Sequence, residues 1–220
     1  MRDTPTNWSN VFDSAEFRKR LDARLRRFGR RLEDPQIAML EAYYGLLLRW
    51  NARINLTSLP LEGFPAESLD RLLIEPIQAA ECIEDVSLQW FDLGSGCGSP
   101  AIPFKIVRPA ADSTMVESIG KKAAFLREAV RFVGLSSVNV LTARIEDLPA
   151  LVPAASVDLI TLRAVKLDDA INEPISTLLK PSGRLLWFGV MPNVELRGFS
   201  TVETRPLTKS GDTVRLLARR

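Results

Sequence analysis

The stretch that decides the fold is Leu88-Gln89-Trp90-Phe91-Asp92-Leu93-Gly94-Ser95-Gly96-Cys97-Gly98. A short apolar run, Leu88–Leu93, gives way to glycines at every second position. Such a run reads as a buried strand of a parallel sheet. Glycines directly after it let the backbone approach a ligand with no Cβ in the way. In open α/β sheets ligands bind beyond the carboxyl ends of the strands, which is where this loop falls. A dinucleotide fingerprint would be Gly-x-Gly-x-x-Gly, and position 99 is Ser. The spacing Gly94-x-Gly96-x-Gly98 therefore favours S-adenosylmethionine over a nicotinamide cofactor, although some such triplets are no more than strand–helix turns.

Downstream of the loop, strands and helices alternate. Thr114–Glu117, Val138–Leu141 and Val157–Leu162 read as strands, with helices over about 121–132 and 167–179. Pro181-Ser182-Gly183 then turns into a strand over Arg184–Phe188. Short strands separated by helical patterns mean βαβ units. Ser200–Thr204 and Val214–Ala218 flank Lys209-Ser210-Gly211-Asp212 as a hairpin. The expected fold is α/β: a Rossmann-like, mostly parallel seven-stranded sheet closed by a C-terminal hairpin, as in class I methyltransferases, with an N-terminal helical extension. The expected division is a helical region over 1–85 and a Rossmann-like domain over 86–220.

Upstream of the loop the pattern is helical. Phe17, Leu21, Leu25, Phe28 and Leu32 recur at spacings of three and four and predict a helix over 14–32. Asp34 as cap and Pro35 at the first position open a second helix, which ends near Trp50-Asn51. A third covers roughly 65–84. Over 18–31 the first helix is basic: Arg18, Lys19, Arg20, Arg24, Arg26, Arg27, Arg30 and Arg31 face Asp22 alone. Residues 1–53 carry 11 basic and 7 acidic residues, against 18 and 20 in the remainder. That asymmetry marks either a solvated helix face or a contact with a polyanion.

Composition excludes several chemistries. The 220 residues contain no histidine, which removes Ser-His and Cys-His nucleophile pairs and the usual general base. Two cysteines, Cys82 and Cys97, make neither a disulfide framework nor a zinc site, and no metal is expected. No run of about 18 apolar residues occurs, so no membrane contact is expected. The start lacks the apolar stretch of a secretory signal, which fits a reducing cytoplasm. Candidate site residues follow the strand ends. Glu117 lies where an acid accepts ribose hydroxyls. Glu146-Asp147 follows the third strand at the level of an adenine, and Arg163 stands past the fourth. Trp50, Trp90 and Phe104 could stack on a splayed base, but such aromatics more often fill a core.

At this point the chain resembles the bacterial small-subunit ribosomal RNA guanine-N7 methyltransferases, also called glucose-inhibited division protein B. The resemblance is carried by Trp50-Asn51 with Asn55-Leu56-Thr57-Ser58, and by the loop through Ser99-Pro100-Ala101-Ile102-Pro103. It continues in Glu117-Ser118-Ile119-Gly120-Lys121-Lys122 with Phe125-Leu126, in Arg144-Ile145-Glu146, and in Arg163-Ala164. It implies a cofactor site at Gly94, Ser99, Glu117, Ile145, Glu146 and Arg163, to which the neighbouring Ser95, Gly96, Gly98 and Ser118 are added. It also implies N7-methylguanosine as product and small-subunit RNA or a ribosomal particle as partner. The member is divergent. The family's Arg-His-x-x-Asp-Ser stretch is Arg71-Leu72-Leu73-Ile74-Glu75-Pro76, its Pro-Gly-Leu-Pro-Gly-Ile-Pro loop is Cys97–Pro103, and its Lys-Gly strand end is Gly189-Val190. A methyltransferase of another substrate, or a homologue that binds without turnover, stays open on these departures.

The chemistry agrees with the implied product. Guanine N7 carries an in-plane lone pair at neutral pH, so methylation needs positioning and little proton transfer. The Asn/Asp-Pro-Pro-aromatic motif of amine methylation is absent, and neither cysteine looks suited to attack a pyrimidine. Arg163 is the expected catalytic group, orienting the cofactor carboxylate or holding the base by its O6 edge. A strand-end salt bridge is its plainer reading. Arg26, Arg27, Arg30 and Arg31 are the expected RNA contacts. Replacing these four by Ala should flatten the salt dependence of RNA binding by roughly 0.7–0.9 in log–log slope per lost contact; an unchanged slope would remove them from the interface.

Overall fold

The computed structural model describes residues 12–165, 168–189, 196–208 and 212–220. Val190, the start of the helix expected from 167, and Lys209-Ser210-Gly211 lie outside them. Helix α1 (Ser14–Arg27) is capped by the Asp13 side chain, which accepts the Glu16 N–H at 2.9 Å. Its apolar stripe buries Phe17, Leu21 and Leu25. The helix ends at Arg27 rather than at 32. Gly29 adopts φ +67°, which a side chain disfavours, and the Arg30 N–H turns back to the Leu25 carbonyl at 2.8 Å.

Helix α2 (Asp34–Asn51) starts one residue earlier than its sequence suggests: Glu33 is the cap, and its N–H donates to the Gln36 side chain at 3.0 Å. A loop then leads to α3 (Ala66–Leu69), a π-helical turn (Asp70–Ile74) and α4 (Glu75–Ala80). Pro76 explains part of that irregularity. It has no N–H to offer the carbonyls behind it, so the Arg71 and Leu72 carbonyls are available to other donors.

The strands are β1 (Gln89–Leu93), β2 (Asp112–Val116), β3 (Val138–Leu141), β4 (Val157–Arg163), β5 (Leu179–Gly189), β6 (Phe199–Pro206) and β7 (Thr213–Arg219). They form one seven-stranded sheet in the order β3-β2-β1-β4-β5-β7-β6. Strands β1 to β5 are parallel, and β7 runs antiparallel to both β5 and β6. The expected doubly wound sheet with a terminal hairpin is thus present. Pro181-Ser182-Gly183, expected as a turn, lies inside β5, where the pairing with β4 loses register between Val157 and Leu159.

Helices α5 (Ala101–Val107) and α6 (Gly120–Val133) cover one face with α1, α2 and α4. After a 3-10 turn at Ile145–Asp147, α7 (Leu148–Leu151) and α8 (Asp169–Leu178) cover the other. Strand β1 serves both: Trp90 packs with the first set, Phe91 and Leu93 with the second. Phe17, Tyr44 and Trp90 belong to one continuous core, so the N-terminal helices pack on the sheet rather than beside it. Among the described residues no helix is long and apolar enough to cross a membrane.

Beneath the glycine loop lies a buried polar chain. Trp90 Nε1 donates to Thr161 Oγ1 at 2.9 Å, and that hydroxyl donates to Asp92 Oδ1 at 2.5 Å. Among the described residues the other Asp92 oxygen is buried without a hydrogen-bond partner. Burial outweighs the Thr161 hydrogen bond and pushes the Asp92 carboxyl up to about 6. A raised folded-state value favours the protonated acid, so the stability it contributes is fully present below about pH 4 and is lost as pH rises to about 6. Relative to Asp92→Asn, the wild-type urea midpoint should therefore fall across that window and stay level above it, by up to about 3 kcal/mol of unfolding free energy. A constant difference from pH 4 to 7 would refute the assignment.

Candidate active site

The carboxyl ends of β1, β2 and β4 open onto two adjoining cavities. The first, about 420 Å³, is walled by Gly94, Ser95, Gly96, Cys97 and Ser99 of the glycine loop, by Glu117 and Lys122, and by Arg163-Ala164-Val165. Residues 56–59 and Arg71-Leu72 close its far side. The second, about 370 Å³, is lined by Ser118, Ala143, Arg144, Ile145, Glu146 and Ile171, and it shares Gly94, Glu117 and Val165 with the first.

The loop's geometry follows from its glycines. Gly94 has φ +73°, and a Cβ there would lie 2.9 Å from Val165 Cγ2, at the junction of the two cavities. Gly98 has φ +87° but lines neither cavity. A Cβ on it would meet Ile102 Cδ1 at 2.6 Å, so this glycine lets the loop pack on α5. Of the expected cofactor contacts, Gly98 is the one the structure does not bring to the site.

Glu117 is the clamp of the loop. Its carboxylate is almost fully buried and accepts the Gly96 N–H at 2.9 Å through Oε2 and the Ile119 N–H at 2.8 Å through Oε1. Both oxygens are thereby fixed in direction, and each keeps capacity to accept one hydroxyl.

Arg163 ends β4, and its side chain is only 12% exposed. Its guanidinium donates to the Arg71 carbonyl at 2.5 Å and to Ser99 Oγ at 3.2 Å, and it is paired with Glu75. Glu75 is fully buried and also accepts Thr208 Oγ1 at 2.8 Å. Burial pushes its carboxyl up, against the opposing pull of Arg163. Phe188 stacks under the guanidinium with its ring centroid at 5.2 Å. Ser99 in turn donates to the Leu72 carbonyl at 2.9 Å. The carbonyls behind Pro76 thus receive Arg163 and Ser99. The next residue, Ala164, holds φ +56°, a left-handed conformation that costs a non-glycine residue energy and aims the chain along the cavity wall.

Several wall residues carried no site assignment in sequence. Leu56, Thr57 and Ser58 stood out as a motif, and the structure shows how they reach the cavity: Asn51 Oδ1 accepts the N–H groups of Leu56 (2.9 Å) and Thr57 (3.0 Å). Arg71, Leu72 and Lys122 likewise belonged to recognisable stretches without a role. Cys97 is held by the Tyr43 hydroxyl, which donates to its carbonyl at 2.8 Å, and burial pushes its thiol up.

The four arginines expected to touch RNA stand apart from this site. Arg26 pairs with Asp22 at 2.8 Å, Arg30 pairs with Glu81 at 2.5 Å, and Arg27 lies 5.8 Å from the Phe28 ring centroid. Arg31 is exposed beside Asp34, at the start of α2. Trp90 and Phe104 are core residues, their rings 4.6 Å apart.

Known proteins agree with this geometry. A family model described as rRNA small subunit methyltransferase G (GidB) matches residues 36–204. A ribosomal RNA small subunit methyltransferase G of Xanthomonas axonopodis pv. citri is 38% identical over 187 residues, which cover 82% of this chain and 84% of that one. The protein of the same name from Yersinia enterocolitica is 35% identical over 182 residues, covering 81% and 84%. Among solved structures, the mitomycin 7-O-methyltransferase MmcR aligns over 91% of this chain and 75% of its own, with a TM-score of 0.57 and 17% identity. A SAM-dependent methyltransferase from Aquifex aeolicus aligns over 70% and 93%, with a TM-score of 0.52 and 14% identity. At those identities the structural likeness establishes the fold alone. The family match over residues 36–204, laid on a class I methyltransferase fold, establishes that the chain belongs to the rRNA small subunit methyltransferase G family.

Proposed function

We propose that this chain transfers a methyl group from S-adenosylmethionine to N7 of a guanine in small-subunit ribosomal RNA, working in the cytoplasm on the RNA or a ribosomal particle. The observation that carries the reading is the pair of cavities meeting at Gly94 and Glu117. The name shared by the Xanthomonas and Yersinia relatives supports the substrate.

The residues present fit the cofactor. Gly94 leaves open the space that a Cβ would fill at the cavity junction, and Glu117 offers two oriented oxygens for a ribose. Ser118, Ile145 and Glu146 would flank the adenine in the second cavity. Ser95, Gly96 and Ser99 would hold the amino-acid end in the first. Bound S-adenosylmethionine supplies an electrophilic sulfonium methyl group.

The chain's own residues do the rest by positioning. Leu56, Leu59, Leu72 and Val165 give the first cavity apolar walls that exclude water. Arg163 is a positioning residue: it fixes Ser99 and the Arg71 backbone while Glu75 balances its charge. N7 has no proton to lose, which suits a chain without histidine. Cys97, kept as a neutral thiol by burial, is poorly placed to attack a pyrimidine ring.

Nucleoside mass spectrometry of small-subunit RNA from cells with and without the gene tests the substrate. Loss of N7-methylguanosine is expected, and an unchanged profile would overturn the reading. Glu117→Ala should weaken S-adenosylhomocysteine binding at least tenfold by calorimetry, since two hydrogen bonds to a charged acceptor are each worth about 1.5–3 kcal/mol. Undiminished affinity would move the ribose elsewhere.

A further inference from the structure

A third cavity, outside the site described above, opens where α2 ends against α6. It measures about 320 Å³ and is lined by Arg49, Trp50, Arg53, Ile54 and Glu128. Pockets for small ligands begin at about 300 Å³, the scale of a single nucleotide. The Arg49 guanidinium lies over the Phe132 ring, 5.3 Å from its centroid, and Phe132 is 53% exposed, an unusual surface position for so large an apolar ring. Trp50 is held from below by Phe125, edge to face at 5.7 Å. Arginine and aromatic planes in one place are the means by which proteins hold unpaired bases, and Glu128 can accept an N–H from a base edge.

Position makes the cleft more than a charged patch. Asn51, next to Trp50, is the residue whose side chain holds the Leu56 and Thr57 N–H groups, and residues 56–59 wall the first cavity. Cleft and cavity therefore lie on two sides of one short loop. Along α6, Lys122 borders the cavity and Glu128 the cleft, six residues or about 9 Å on. The cleft edged by Arg26 and Arg31 is different: it lies at the start of α2, about 25 Å away along that helix, and Asp22 and Asp34 share it.

From this arrangement we infer that the cleft of Arg49, Trp50, Arg53 and Ile54, with Phe132 backing the Arg49 guanidinium, binds a nucleotide of the RNA strand adjacent to the target guanine, with the base against Trp50 and the Arg49 plane and the phosphate toward the basic edge of the cleft. The inference rests on the RNA substrate proposed above and names where that strand runs.

The test uses the full chain, S-adenosylmethionine and small-subunit RNA from cells lacking the gene, with Arg49→Ala, Arg49→Glu and Phe132→Ala as variants. Each should raise KM for RNA, roughly tenfold for Phe132→Ala, which removes the ring that holds the Arg49 plane against the base. Values of kcat and the affinity for S-adenosylhomocysteine should stay within about twofold, since the cleft does not border the cofactor cavities. Arg49→Ala should also lower the salt slope of RNA binding by roughly 0.7. Thermal melting checks folding; should Arg49→Glu unfold, Phe132→Ala, altered at an exposed ring, decides. An unchanged KM with active wild type overturns the inference and leaves the RNA reading standing. Equal losses in KM and cofactor affinity overturn it too, because they would place these residues in support of the cofactor site. A wild type that methylates no RNA defeats the substrate reading, and this inference with it.

Discussion

The pairing of Arg163 with Glu75 is the constraint on which the site depends. Both side chains are taken out of water, and a buried charge left without its partner would cost about 3–5 kcal/mol. The pair therefore obliges the helical segment 70–75 to dock on the carboxyl end of β4. Docking it there brings Arg71 and Leu72 to the cavity wall. Arg71 also pairs with Asp212 at 2.5 Å, and Thr208 donates to Glu75, so the edge of the terminal hairpin is tied to the same point.

A second layer of constraint lies under the glycine loop. Thr161 and Asp92 face each other in the register of β1 and β4, and Trp90 completes the chain of donors. Ser95 donates back to the Asp92 carbonyl, and the Gly94 and Ser95 N–H groups both reach the Val116 carbonyl at the end of β2. Glu117 then grips the loop from the next residue of the same strand end. The loop side of the two cavities is thus shaped mainly by backbone and by one carboxylate.

Much of this was legible in the chain. Alternating strands and helices after residue 88, the glycine spacing and the position of Glu117 each depend on local periodicity or a short fixed distance in sequence. Other features were not. Helix α1 stops at Arg27 although the apolar spacing runs on to Leu32, because Gly29 turns the backbone while Leu32 still finds the core. Gly98 matched the motif, yet its missing Cβ makes room for Ile102 rather than for a ligand. The basic run of 18–31 read as either a solvated face or a polyanion contact, and the sequence could not show that folding pairs Arg24 with Asp70 and Arg30 with Glu81, acids that sit far along the chain.

The sequence by itself determined the alternation of strands and helices after residue 88, the class of fold and most of the residues that meet at the carboxyl ends of the central strands, since these follow from hydrophobic period and from what glycine alone can adopt. Only the tertiary structure decided which groups Arg163 is bonded to, which side of the glycine loop Gly94 and Gly98 serve, and that Arg49 and Trp50 line a cleft beside the site. Those outcomes turn on burial and on partners dozens of residues away. The free energy of a charge or an exposed ring is fixed by its surroundings in space, which no local pattern records.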